Sequence, residues 1–210
     1  MKNKITINCH NSIRIEDDKI IYFDPFKIEN KLNDADLIFI THDHYDHFDI
    51  NSIKNIIKED TKIVVPNSIV EKVLSSGINN DNLISVDVNS TYTILGYKVE
   101  TIPSYNLNKD FHIKEYNYVG YIITINNDRI YVAGDTDATE ECKNVNCDIA
   151  LIPIGGTYTM DYKEAAELIN IIEPKIVIPT HYNCVVGNLS DGENFKNLVN
   201  DNIECILKIK

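Results

Sequence analysis

The chain is short of positive charge. It sets 20 Lys and Arg against 32 Asp and Glu, for a formal net charge of −12 and a sequence pI of about 4.8. Such a field repels nucleic acid, acidic membrane surfaces and other polyanions, so neither a nucleic-acid nor a membrane partner is expected. A bound cation could reverse the sign locally, which leaves small anionic substrates open. No apolar stretch approaches the length of a membrane span. The opening residues, "MKNKITINCHNS", contain no apolar h-region, so no signal peptide is read there. The five cysteines, Cys9, Cys142, Cys147, Cys184 and Cys205, are odd in number and lack any C-x-x-C spacing. That excludes the usual zinc knuckle or dithiol redox motif. The simplest expectation is reduced, mostly buried thiols in a cytoplasmic protein. Internal repeats, low-complexity tracts and linkers are also missing.

What is present suits one globular domain spanning residues 1–210, with 43% apolar residues and length enough for a sizeable core. "KITIN", "SIRIE" and "KIIYF" alternate like strands, with "EDDK" as a hairpin turn. "DLIFI" reads as a buried strand, "DINSIKNIIKE" as a helix, "KIVVP" as a strand and "SIVEKVLSSG" as a short helix closed by Gly77. The middle returns to strands, with a hairpin through Gly96 and another turning at Asn126-Asn127-Asp128. "CDIALIPI" and "KIVIP" are further buried strands around the helix "DYKEAAELINII". Asp161 with Glu164 forms a capping-box pattern there, and Pro174 marks the end. "DGENFKNLVN" is a last helix and "IECILKI" a last strand. Strands early and α/β alternation late suggest two sheets covered by outer helices.

Of six histidines, three fall within "FITHDHYDHFD", residues 39–49. Turns are normally built from Gly, Pro, Asn and Ser, whereas histidine brings a metal-binding nitrogen. Two further motifs share the placement of this one. "LIFI" runs into His42-Asp43-His44-Tyr45-Asp46-His47, "IYVA" into Gly134-Asp135-Thr136, and "IVIP" into Thr180-His181-Tyr182. If those strands are neighbours, three strand ends converge on one edge. In H-x-H-x-D-H the first two histidines could hold one ion, and the Asp and last His a second. Asp135 could bridge both, and His181 complete the second. Two cations about 3.5–4 Å apart can lower the pKa of a shared water toward neutrality.

With these motifs the sequence resembles the metallo-β-lactamase superfamily. The resemblance rests on T-H-D-H-Y-D-H (41–47), G-D-T (134–136) and T-H-Y (180–182). It extends to "CHNSIRI" with "FDPF" and to "LIPIGGTYTMDYKEAAELI", so it covers most of the chain. It implies an α/β fold, an αββα sandwich of two mixed β-sheets flanked by helices, with metals at one sheet edge. It implies His42 and His44 on the first metal, Asp46, His47 and His181 on the second, and Asp135 between them. The pattern looks most like the branch holding an ascorbate-phosphate lactonase and the N-acyl phosphatidylethanolamine phospholipase D. A metal-dependent hydrolase with two divalent ions follows. Zinc comes first and manganese or iron are alternatives. A metal-bound hydroxide would cleave an ester, lactone, amide or phosphodiester bond of a small-molecule substrate, with Asp46 as the catalytic carboxylate. The competing class is a non-hydrolytic metal-binding or redox sensor on the same scaffold.

One stretch departs from the family pattern. Where relatives carry Pro-x-x-His for the first metal, this chain reads Pro103-Ser104-Tyr105-Asn106, and His112 follows six residues later. Either His112 substitutes as a ligand, or it is a solvent-exposed loop residue and the first site is poorer in nitrogen. His10 is open between a structural role and one near the metals. Asp24 is read as a loop organiser or as a residue that orients a ligand. Tyr105, Tyr158 and Tyr182 are candidate pocket residues, and Gly155-Gly156 a close backbone passage.

Overall fold

The structure, a computed structural model, describes residues 1–209. Two mixed sheets lie face to face. The first runs in the order β1 (Ile5–Cys9), β2 (Ser12–Glu16), β3 (Ile20–Phe23), β4 (Leu37–Phe39), β5 (Lys62–Pro66) and β6 (Leu83–Val86). It is antiparallel through β1–β3 and parallel from β3 onward. The second contains β7 (Thr91–Ile94), β8 (Tyr97–Pro103), β9 (Val119–Ile125), β10 (Asp128–Val132), β11 (Ile149–Pro153), β12 (Ile176–Thr180) and β13 (Glu204–Cys205), each beside the next. Its β7–β10 half is antiparallel and its β10–β13 half parallel.

Side-chain alternation builds the layers. On β4, Leu37 and Phe39 enter the core between the sheets with Phe23, Val64, Tyr121 and Val132. Ile38, from the same strand, turns outward with Ile40 onto α1 (Ile50–Ile56) and α2 (Val70–Ser75) through Ile53, Ile56 and Val73. On the opposite side Tyr131, Ala150, Ile152 and Val177 meet α4 (Tyr162–Ile172) and α5 (Leu189–Lys196) through Ala165, Leu168, Ile169 and Phe195. The αββα order expected from the resemblance is therefore present. Short α3 (Glu140–Lys143) follows the Asp135 loop. Among the described residues, no helix is long and apolar enough to cross a membrane.

Local chemistry explains most boundaries. Asp161 caps α4 by accepting from the Lys163 and Glu164 amides, while the Glu164 side chain returns to the Asp161 amide. Asn126 and Asn127 both take positive φ, 50° and 70°, as a two-residue hairpin turn between β9 and β10 requires. Three expectations need correction. The final strand shrinks to Glu204–Cys205, since it lies at the sheet edge with only β12 to pair with. Helix α5 begins at Leu189, because Asn188 and Asp191 form its capping box. The cysteines are not all reduced. Cys9 and Cys184 form a disulfide, leaving Cys142, Cys147 and Cys205 free. A sequence separation of 175 residues hid that pairing, which exists only because β1 ends beside the loop after β12.

Candidate metal centre

The three donor motifs sit just past the carboxyl ends of strands, and His112 lies in the loop between β8 and β9. β4 leads to His42, β10 to Asp135 and β12 to His181. The strands are not neighbours as expected. β4 belongs to the first sheet, and β11 separates β10 from β12 in the second. The site forms where the ends of both sheets open on one edge of the sandwich. The 42–47 segment closes by amides of His47 and Phe48 donating to the His44 carbonyl at 3.0 and 2.8 Å, which turns its donors inward. Gly134, with φ +67°, lets the Asp135 loop touch it: a Cβ there would lie 3.0 Å from Thr41 Cβ. Gly155 passes under His181 so closely that a Cβ would lie 2.3 Å from the His181 carbonyl oxygen.

His42, His44, Asp46, His47, His112, Asp135 and His181 come together. His42, His44 and His112 make one group whose donor atoms all lie within 4.8 Å of one another. His112 Nε2 is 3.1 Å from His44 Nδ1 and 3.5 Å from Asp135 Oδ2. His10, Asp46, His47 and His181 form a second group within the same limit. Asp135 lies between the groups, Oδ1 3.2 Å from His47 Nε2 and Oδ2 3.0 Å from His181 Nε2. His112 is buried, not a solvent-exposed loop residue. Asn106 does not face the other donors. Its Oδ1 accepts from the His112 amide at 3.1 Å and lies 3.0 Å from His112 Nδ1, which leaves Nε2 aimed at His44. Asp24 does the same for His47, with Oδ2 2.7 Å from Nδ1, and it accepts from Thr41 and Asn11 as well. Thr41 Oγ1 sits 3.0 Å from His42 Nδ1.

The electrostatics differ by group. Burial pulls the imidazole pKa of His42 well below its ordinary value and lowers that of His44. Burial also brings His112 and His10 down to about 4. His47 goes the other way: burial opposes its charge, but Asp135 and Asp24 outweigh burial and lift its pKa well above normal. Asp135 is held well below the carboxylate range by His181 and His47 against the cost of burial. Asp46 is brought down to about 2, burial again being outweighed by His10 and His47.

A cation fits this donor set. The buried atoms His42 Nε2, His47 Nε2, His181 Nε2 and Asp135 Oδ1 make no hydrogen bond to any described residue, although carboxylates lie within ion-pair distance. Orphaned buried polar atoms are rare and costly, and here they converge. A cavity of about 400 Å³ opens above them. His44, Asp46 and Asp135 are at its floor, and Asp43, Tyr45, Lys72, Phe111, Tyr158 and Val185 form its walls. Phe111 and Tyr158 meet edge to face with centroids 4.7 Å apart. Of the candidate tyrosines, Tyr158 reaches this cavity. Tyr182 is fully buried in the core against Gly192 of α5, and the Tyr105 hydroxyl donates to Glu141. Sequence reasoning did not identify Phe111, Lys72 or the Cys9–Cys184 bridge, and it left His10 open. Position at the end of β1, like the other donors at their strand ends, was the one signal for His10.

Comparison with known proteins gives a consistent result. Residues 4–181 match the family model described as the beta-lactamase superfamily domain. A UPF0173 metal-dependent hydrolase of Thermococcus onnurineus is 32% identical over 97% of this chain and 95% of its own length. Among solved structures, a candidate metal-dependent hydrolase of Parabacteroides distasonis superposes with a TM-score of 0.84 at 29% identity, covering 98% of this chain and 93% of that one. Igni18, a metallo hydrolase of Ignicoccus hospitalis, shares the fold at 22% identity, with a TM-score of 0.77 over 97% of this chain and 93% of its own. The chain thus belongs to the beta-lactamase superfamily domain family and, within it, to the UPF0173 metal-dependent hydrolases.

Proposed function

We propose that the protein binds two divalent metal ions, zinc by preference, and hydrolyses an ester, lactone, amide or phosphodiester bond of a small molecule. In this reading His42, His44 and His112 hold one ion, Asp46, His47 and His181 hold the other, and Asp135 serves both. The observation that carries it is the convergence of unpaired imidazole nitrogens and two carboxylates on the floor of an open cavity. Imidazole-rich donor sets favour zinc over hard, oxygen-loving cations. With His112 in place of the usual histidine, the first group keeps three nitrogens, so manganese and iron rank second.

Bound ions would lower the pKa of a water and polarise the scissile carbonyl or phosphoryl oxygen. The chain itself supplies position. Asp46, with its pKa down at about 2, is a permanent acceptor suited to orienting the attacking water more than to storing its proton. Tyr45, Phe111 and Tyr158 offer apolar surface to the rest of the substrate. Lys72 is already engaged by the Asp43 carboxylate and carbonyl at 2.8 and 2.7 Å.

The test is metal analysis of purified protein followed by a broad screen of esters, lactones, amides and phosphodiesters. Up to two ions per chain and loss of turnover on chelation are expected. Full turnover after exhaustive metal removal would sink the reading.

A further inference from the structure

The first turn of the chain carries a histidine that neither the motif pattern nor the family match assigns. β1 and β2 pair up to Cys9 opposite Ser12, so His10 and Asn11 form a two-residue hairpin turn. Such turns normally project into solvent and place Gly or Asn where φ is positive. Here His10 takes φ +59° and is completely buried. A left-handed histidine is strained and persists where its surroundings over-determine it. Those surroundings are the second donor group. His10 Nε2 is 3.1 Å from Asp46 Oδ2, its ring lies 3.6 Å from that of His181, and its carbonyl accepts from the His181 amide at 3.0 Å. The Cys9–Cys184 bridge joins the two segments that carry these imidazoles. His10 Nδ1 has no hydrogen-bond partner among the described residues, so the polar contact of the ring is the one its Nε2 makes with Asp46.

We propose that His10 is a direct donor, through Nε2, to the cation held by Asp46, His47 and His181. The proposal rests on the two-ion reading above. Two ligands each about 2.0–2.1 Å from a tetrahedral ion are separated by roughly 3.3–3.4 Å. From Asp46 Oδ2 the nitrogens of His10, His47 and His181 stand at 3.1, 3.8 and 3.9 Å. Those separations bracket that edge length, with His10 nearer than either histidine of the motif pattern. The position therefore has three imidazoles and one carboxylate of its own, before any contribution from Asp135.

The rival role is positional: His10 would donate a hydrogen bond to Asp46 and never touch the ion. His10→Gln separates the two, because its amide can still donate to Asp46 but is a poor zinc ligand. Metal-free wild type, His10→Gln and His10→Ala are titrated with Zn²⁺ by calorimetry and with Co²⁺ by its visible ligand-field bands. Thermal melts report folding. The expected result is two ions in wild type, and in both variants at least about 10-fold weaker binding of one ion only, with altered cobalt bands. Wild-type affinity and bands in His10→Gln would reduce His10 to a positioning residue and overturn the proposal. Should both variants fail to fold, ¹⁵N-histidine spectra of wild type decide. A metal-dependent shift of His10 Nε2 upholds the assignment and its absence refutes it. Failure of wild type itself to take a second ion would instead bring down the two-ion reading.

Discussion

The two donor groups share Asp135 yet are built on opposite principles. His42, His44 and His112 are three imidazoles whose pKa values burial drives down, so at neutral pH they present free lone pairs. His44 lies on the floor of the cavity. The other group sits deeper and is knitted into charge: Asp24 and Asp135 flank His47 and raise its pKa, so an arriving cation must displace a proton. The first group thus carries no proton to be displaced, whereas in the second His47 does. The lesson is that burial alone neutralises a histidine, and burial beside two carboxylates charges it.

Removing the shared residue should have the largest effect. Asp135→Asn strips a carboxylate from both groups and leaves His47 and His181 facing an amide. Loss of both ions and a fall in turnover of about a thousandfold or more are expected, read by metal analysis and steady-state kinetics. Retention of one tightly bound ion would show that the groups are more independent than their common carboxylate implies.

Next in size is the first group alone. His112→Ala should weaken one ion of two by at least about 100-fold and cut turnover while the fold survives, whereas Asn106→Ala, which loses the contact orienting His112 along with bonds to Asp137 and the Tyr158 carbonyl, should cost about 10-fold. Calorimetric titration of both variants checks the order, and unchanged stoichiometry and affinity in His112→Ala would remove it from the centre. The matching change in the second group is Asp24→Asn. It leaves the first ion in place and weakens the second by about 10- to 100-fold, measured in the same titration. It also lowers the pKa of His47, visible by NMR of the metal-free protein.

The smallest effect is on pH-dependent stability without metal. The unfolded chain protonates His10 and His112 near pH 6.5, but the folded chain does so only near 4. The unfolded state therefore binds more protons in that window, and stability falls as pH drops from 6.5 to about 4. His47 has the opposite sign: its contribution is complete below 6.5 and is lost as pH rises through its elevated folded value. Chemical denaturation across pH 4–8 should show the acid-side loss, and His112→Ala should shrink it.

Four candidate donors were legible because they share one short segment: in His42, His44, Asp46 and His47, residue type and spacing suggest the chemistry within a few residues. Asp135 and His181 were legible by analogy of placement at strand ends. The helix caps of α4 and the Asn126-Asn127 turn were legible for the same local reason, since the groups that satisfy each other are a few residues apart. His112 could be named but not oriented, because the contact that aims it comes from Asn106 and its partner is His44, 68 residues away.

The sequence by itself determined the layered α/β class, the donor types and the excess of negative charge, all of which depend on composition and short-range periodicity. Only the tertiary structure decided that β4, β10 and β12 converge from two different sheets, that His10 meets Asp46 and His181, and that Cys9 meets Cys184. The physical reason is that burial between two sheets brings together segments with no local interaction. The strand ends then meet at one edge because the core, through residues such as Phe39, Val132 and Ile178, fixes how the sheets lie on each other.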